Sequence, residues 1–132
     1  MPIKTSSAKA KGRALQKYIR DKILYFFPML RDGDVESRAM GSGGVDIMLS
    51  AIARREFPIS IEAKKTKKTP SRAELEQAKA NAYSKTVPAV VWCPHGSGPD
   101  KSVIMFDFQE FLIWFSRLRG EFTNLVELKE DE

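Results

Sequence analysis

Apolar residues recur along this chain with two different periods, and the changes between them mark out the elements. Between Ala10 and about Phe27, Ala14, Leu15, Tyr18, Ile19, Ile23 and Phe26 fall at helical spacing, with Lys17, Arg20 and Lys22 mainly off that face. This predicts an amphipathic helix closed by Pro28. Residues 31–44 are polar and glycine-rich, with room for a short strand around Asp34 to Met40. From Val45 the period drops to two. Val45, Ile47 and Leu49 alternate with Asp46, Met48 and Ser50, and Ile59, Ile61 and Ala63 alternate with Ser60, Glu62 and Lys64. Two strands are predicted, with Arg54-Arg55-Glu56 as the turn of a hairpin that sets Asp46 and Glu62 on one shared face. Ser71-Arg72-Ala73-Glu74 reads as a capping box opening a helix to about Lys85, packed through Leu75, Ala78 and Ala82. Val87 to Cys93 is continuously apolar, as suits a buried strand. Pro94 to Pro99 must be a loop, Ser102 to Phe108 another strand, and Phe111 to Leu118 a last helix.

The predicted order is helix, strand, strand, helix, strand, strand, helix. That is an α/β sandwich with a central mixed β-sheet flanked by helices. Its 132 residues, 42% hydrophobic and 30% charged, fit one globular domain over residues 1–120, with an acidic tail over 121–132. The apolar runs are too short to span a bilayer and no signal-peptide core follows the first lysines, so a cytoplasmic protein without a membrane partner is expected. Cys93 is the only cysteine and His95 the only histidine, which excludes an internal disulfide and a Cys/His zinc cluster. A buried thiol and a surface loop residue are the simpler roles. There is no Walker loop and no Rossmann fingerprint, so no nucleotide cofactor is indicated.

Charge is unevenly spread. Residues 1–22 hold seven Lys/Arg against one acidic residue, and residues 121–132 hold five acidic residues against one lysine. A second basic cluster, Lys64, Lys65, Lys67, Lys68 and Arg72, directly follows the second alternating strand. Such clusters hold phosphates by counterion release. Beside them, Asp46 and Glu62 supply two hard oxygen ligands of the kind Mg²⁺ prefers, with Mn²⁺ as substitute, and the Ala63 carbonyl offers a third oxygen. A cation there would help a phosphodiester react, and Lys64 would orient water or stabilise developing charge. The same Glu-x-Lys spacing at Glu127-Leu128-Lys129 has no preceding Gly-x-Asp and no strand-like run.

Gly44-Val45-Asp46, then Glu62-Ala63-Lys64, then Gln77 on the following helix resembles the PD-(D/E)XK nuclease superfamily, whose fold is the restriction-endonuclease-like sandwich. Within it the chain is most similar to small Holliday-junction resolvases of the archaeal type and their phage-encoded relatives. The resemblance covers most of residues 10–115, including Gly12-x-x-x-Gln16 in the opening helix and the Arg38 to Asp46 loop. It implies that Asp46 and Glu62 bind metal, that Lys64 assists catalysis, and that Gln77 supports the site. Gln16 stands where resolvases usually carry glutamate, a departure that leaves either a contact through water or fewer carboxylates. Asp34 and Glu36 are possible replacements. Ser42 matches a loop serine near the scissile phosphate, with Arg38 beside it at the DNA backbone. Lys11, Arg13, Arg38, Lys65, Lys67, Lys68 and Arg72 would contact DNA. The resemblance further implies a homodimer cutting four-way junctions in a bacterial or phage-infected cell, and Phe106, Phe108, Phe111, Ile113, Trp114 and Phe115 offer apolar surface for one. A restriction-like, nicking or repair nuclease, or an inactive DNA-binding protein on the same fold, are the alternatives.

Overall fold

In the computed structural model, backbone is described for residues 2–39 and 43–130 and side chains for residues 9–39 and 43–120. A long helix, α1 (Pro2–Phe26), leads through a short 3-10 turn at Asp32–Asp34 into β1 (Val35–Ser37) and β2 (Ile47–Leu49). After α2 (Ala51–Glu56) come β3 (Ile59–Thr66), α3 (Arg72–Asn81), β4 (Val87–Pro94), a 3-10 turn at Pro99–Lys101, β5 (Val103–Phe106) and α4 (Phe108–Glu130). β1 and β2 form an antiparallel pair; β3, β4 and β5 form a mixed sheet in that order, with β3 parallel to β4 and β5 antiparallel to it. The fold is α/β with a mixed sheet, as the periodicity predicts.

The β3–α3–β4 unit explains the uninterrupted apolar run of β4. A parallel pair needs a crossover, and the crossover helix covers one face while α1 covers the other. Alternate residues of both strands serve the two faces. Ile59, Ile61, Ala89, Val91 and Cys93 pack with Leu15, Ile19 and Ile23 of α1 and with Val35, Ile47 and Leu49 of the small sheet. Val90 packs on the opposite face with Leu75 and Ala78 of α3, and Met105 closes that layer. Ser60 and Glu62, which alternate with the isoleucines, are buried as well.

Several predicted boundaries shift for identifiable reasons. Residues 54–56 are not a turn: Ser50 accepts the Ala53 N–H (3.1 Å) and caps α2. β2 consequently pairs with β1 rather than with β3. Its preceding residue still reaches β3, because the Asp46 N–H donates to Ile61 O (3.2 Å). α3 stops at Asn81, short of Lys85, where the Tyr83 N–H is taken by Ser60 Oγ (3.0 Å) and Thr86 Oγ1 bonds both Tyr83 O and Ser60. On α1 the predicted face narrows to Leu15, Ile19 and Ile23, while Ala14 and Phe26 are exposed and Gln16 is buried. α4 begins at Phe108, where Asp107 Oδ1 accepts the Gln109 and Glu110 N–H groups, and it continues through Gly120 to Glu130. The acidic segment is therefore helical up to that residue. Gly120 weakens a helix by about 1 kcal/mol relative to alanine, too little by itself to end one already propagating through Leu118 and Arg119.

Candidate active site

Asp46 sits where the two sheets meet. Its backbone bonds outward to both, accepting the Arg38 N–H (2.8 Å) and donating to Ile61, and its Oδ2 accepts the Ala63 N–H (2.7 Å). The carboxylate is thereby held against the middle of β3 in one orientation. Period-two alternation brings Glu62 and Lys64 out on the same side of that strand. Glu62 is 6% exposed, and its Oε2 is buried without a hydrogen-bond partner among the described residues. A carboxylate oxygen left this way costs free energy that the fold must offset elsewhere.

The electrostatics reflect this confinement. Burial pushes the Glu62 carboxyl up to about 7, the nearby Asp46 carboxylate pushes in the same direction, and Lys64 opposes both. Asp46 is also raised by burial, against the Ala63 N–H, Lys64 and Arg38. Two carboxyls both raised by burial, the charge of one raising the other further and one with an unmatched oxygen, suit a cation between them. Asp46 and Glu62 fit a divalent ion on those grounds, while Ala63 is seen to contribute its N–H to orienting Asp46. Among the described residues, no group of three or more His, Cys, Asp or Glu is gathered. Asp34 does not complete the set, since its oxygens serve the Arg31 N–H and the Ser50 hydroxyl (2.8 and 2.7 Å). Glu36 lies exposed on β1 opposite Met48.

The loop before Asp46 is shaped by Arg38, which donates through Nε to Val45 O (2.6 Å). Gly44 has φ +97°, and a Cβ there would come within 3.0 Å of the Arg38 guanidinium. Glycine at this position allows both the turn and the approach of the arginine to Asp46. Ser42 lies outside the described residues. Gln16 is 5% exposed on α1, the helix that covers the Ile59-Ile61-Ala63 face. Gln77 is exposed on α3.

On the Lys64 side a hollow of about 350 Å³ is lined by Lys64, Thr66, Lys68, Thr69, Pro70, Ser71 and Glu74. Lys67 and Lys68 are exposed, as are Lys11 and Arg13 on α1. Two other expected phosphate ligands are committed elsewhere. Lys65 alternates onto the α1 side, where its ammonium donates to Cys93 Sγ (3.1 Å), Pro94 O (3.4 Å) and Ser97 O. Arg72 pairs with Asp107 (2.6 Å) and Glu76 (3.6 Å), tying α3 to the start of α4. Glu74 is a further residue of this hollow. Its spacing from Ser71 announces a helix cap, which it forms by accepting the Ser71 N–H (2.6 Å), but only the fold shows that this cap lies beside Lys64.

Comparison of the chain with protein-family models, with curated proteins and with solved structures finds no match.

Proposed function

We propose that this protein is a metal-dependent endonuclease on a restriction-endonuclease-like sandwich, acting on branched DNA and most specifically on four-way junctions. The observation that carries the reading is the half-buried Asp46 beside the buried Glu62, with Lys64 next to them and one Glu62 oxygen unmatched. Asp46 and Glu62 would hold Mg²⁺ or Mn²⁺, which supplies an electrophile for a phosphoryl oxygen and lowers the pKa of water. Asp46 is oriented for this by the Ala63 N–H. Lys64 stands by both carboxylates without an ion pair among the described residues, so its charge is available to a phosphate. The hollow beyond it, with Lys68, Thr69 and Ser71, accepts the neighbouring backbone.

Junction preference rests on the sequence resemblance; such an enzyme would read shape and phosphate positions. The test is cleavage in Mg²⁺ of an immobile four-way junction beside a linear duplex built from the same arms, with wild type and Asp46→Asn. Paired symmetric cuts in the junction alone, lost in Asp46→Asn with binding retained, are expected. Comparable cutting of the duplex would make it a general nuclease. If neither is cut in Mg²⁺ or Mn²⁺, the catalytic reading fails and binding alone is left.

A further inference from the structure

A second concavity lies at the other end of β3, roughly 16 Å from Lys64 at about 3.3 Å per strand residue. It has a volume of about 500 Å³ and is formed by the end of α1, the α2–β3 junction, the turn before β4 and the middle of α4. Phe27, Phe57 and Trp114 give it aromatic walls, the two phenylalanines meeting edge to face at 5.4 Å. Arg55, Lys85 and Arg117 line it as well, against the carboxylate of Glu56; Glu110, in the smaller hollow that shares Lys85, Trp114 and Arg117, is paired with Lys79 (3.6 Å). None of these three cations has an ion pair among the described residues.

Two further features set this cavity apart from an ordinary surface groove. Trp114 Nε1 is buried without an acceptor among the described residues, a donor that a ligand's oxygen or nitrogen reaches only if the ring turns toward the cavity. Lys85 has φ +62°, alone among the described non-glycine residues in being positive. A side chain with a Cβ pays for that backbone region, and glycine would not. The chain keeps a lysine at the cavity where its backbone would favour glycine.

Aromatic walls with three cations at their margin match a flat, acceptor-rich body carrying a phosphate. We propose that this cavity binds a nucleotide phosphate, its base against Trp114 and Phe57 and its phosphate between Lys85, Arg117 and Arg55. The shared chemistry covers a free mononucleotide and the 5′-phosphorylated end of a single strand. Neither a Walker loop nor a Rossmann turn is required, because side chains rather than backbone amides hold the phosphate. The site does not depend on the Asp46–Glu62 reading.

The test is calorimetric titration in EDTA with adenosine 5′-monophosphate, adenosine, inorganic phosphate and a 5′-phosphorylated tetrathymidylate. The monophosphate is expected to bind saturably and at least about tenfold tighter than adenosine or phosphate alone. Lys85→Gly and Arg117→Gln should each weaken it about tenfold, the scale of losing one charge-assisted hydrogen bond, while Lys101→Ala leaves it unchanged. Lys85→Gly should raise the melting temperature while it lowers affinity, an opposition that a purely structural lysine would not produce. Tighter binding of the tetranucleotide assigns the site to a strand end; equal binding assigns it to free nucleotide. No saturable heat with either probe overturns the proposal, as does equal weakening by Lys101→Ala. Loss of binding in Asp46→Asn would place the heat at the carboxylates and overturn it too, whereas a nuclease test that fails leaves this result standing.

Discussion

At the residue scale, Glu62 carries an energetic signature that can be measured without substrate. Its carboxyl titrates near 7 in the folded chain against an ordinary 4.5. Between those values the native state holds a proton that the unfolded chain has lost, so stability falls as pH rises through the window and levels off above it. A shift of this size corresponds to about 3 kcal/mol. Urea unfolding in EDTA should therefore show the wild type less stable at pH 8 than at pH 5. Glu62→Gln should remove most of that slope and be the more stable protein at pH 8. Mg²⁺ should restore wild-type stability at pH 8 and do nothing for Glu62→Gln; equal pH slopes in the two proteins would contradict the burial argument. The side-chain period makes Glu62 and Lys64 legible from sequence, because alternation fixes which residues of one strand share a face, whereas Asp46 meets them through its bonds to Ile61 and Ala63 and not through the expected hairpin. The same rule placed Lys65 on the opposite face with Ile61 and Ala63, and reading it as part of one basic cluster overlooked that. Gln16 illustrates the reverse limit: a polar residue beside Leu15 gives no sign in the sequence that packing will bury it.

At the scale of elements, strands and the crossover helix were legible because their apolar periods are set by burial on one or two faces. Short or cap-driven elements were not. α2 has six residues and rests on one cap, Ser50, which looks in the sequence like an ordinary strand end. α3 depends on its start in the same way, since Ser71 and Glu74 satisfy otherwise unpaired backbone N–H groups there. Ser71→Ala should cost about 1 kcal/mol. For a domain of this size that lowers the melting temperature by about 3–6 °C, read by circular dichroism. Because this cap borders the hollow beside Lys64, the substitution should also lower cleavage more than its stability loss explains when assayed well below the melting temperature. Unchanged cleavage would mean that α3 serves only as cover for the sheet. The end of α4 was missed for another reason: five acidic residues suggested a solvated tail, yet charge composition alone does not stop a helix whose backbone bonds are already propagating.

Over the whole molecule, the exposed lysines and the exposed apolar residues point to different partners. Lys67 and Lys68 stand beyond the carboxylate end of β3, so replacing both with alanine should weaken junction binding and reduce the slope of log K against log salt by about 2, with the uncut junction bound in Ca²⁺. An unaltered slope would place the DNA elsewhere. Apolar exposure gathers instead on β5 and α4. Val103 and Ile104 on the last strand, with Phe108, Leu112 and Phe115 at helical spacing on α4, are each 46% exposed or more. Phe106, Phe111 and Trp114 from the same segments are partly covered and meet ring against ring, with centroids 5.5 to 6.3 Å apart. The aromatic segment thus divides between internal packing and open surface, a division its sequence could not decide. Scattered apolar residues are ordinary on a monomer, but a surface on which an edge strand and a terminal helix both expose them is costly to leave in water. A second copy meeting it across a two-fold axis would bury both edges and set two carboxylate sites in one symmetric particle, as paired cuts require. Sedimentation equilibrium should accordingly give a dimer for the wild type. Leu112→Asp combined with Phe115→Asp should give a folded monomer that nicks one strand of the junction without the paired second cut. A monomeric wild type that makes both cuts would separate resolution from this surface.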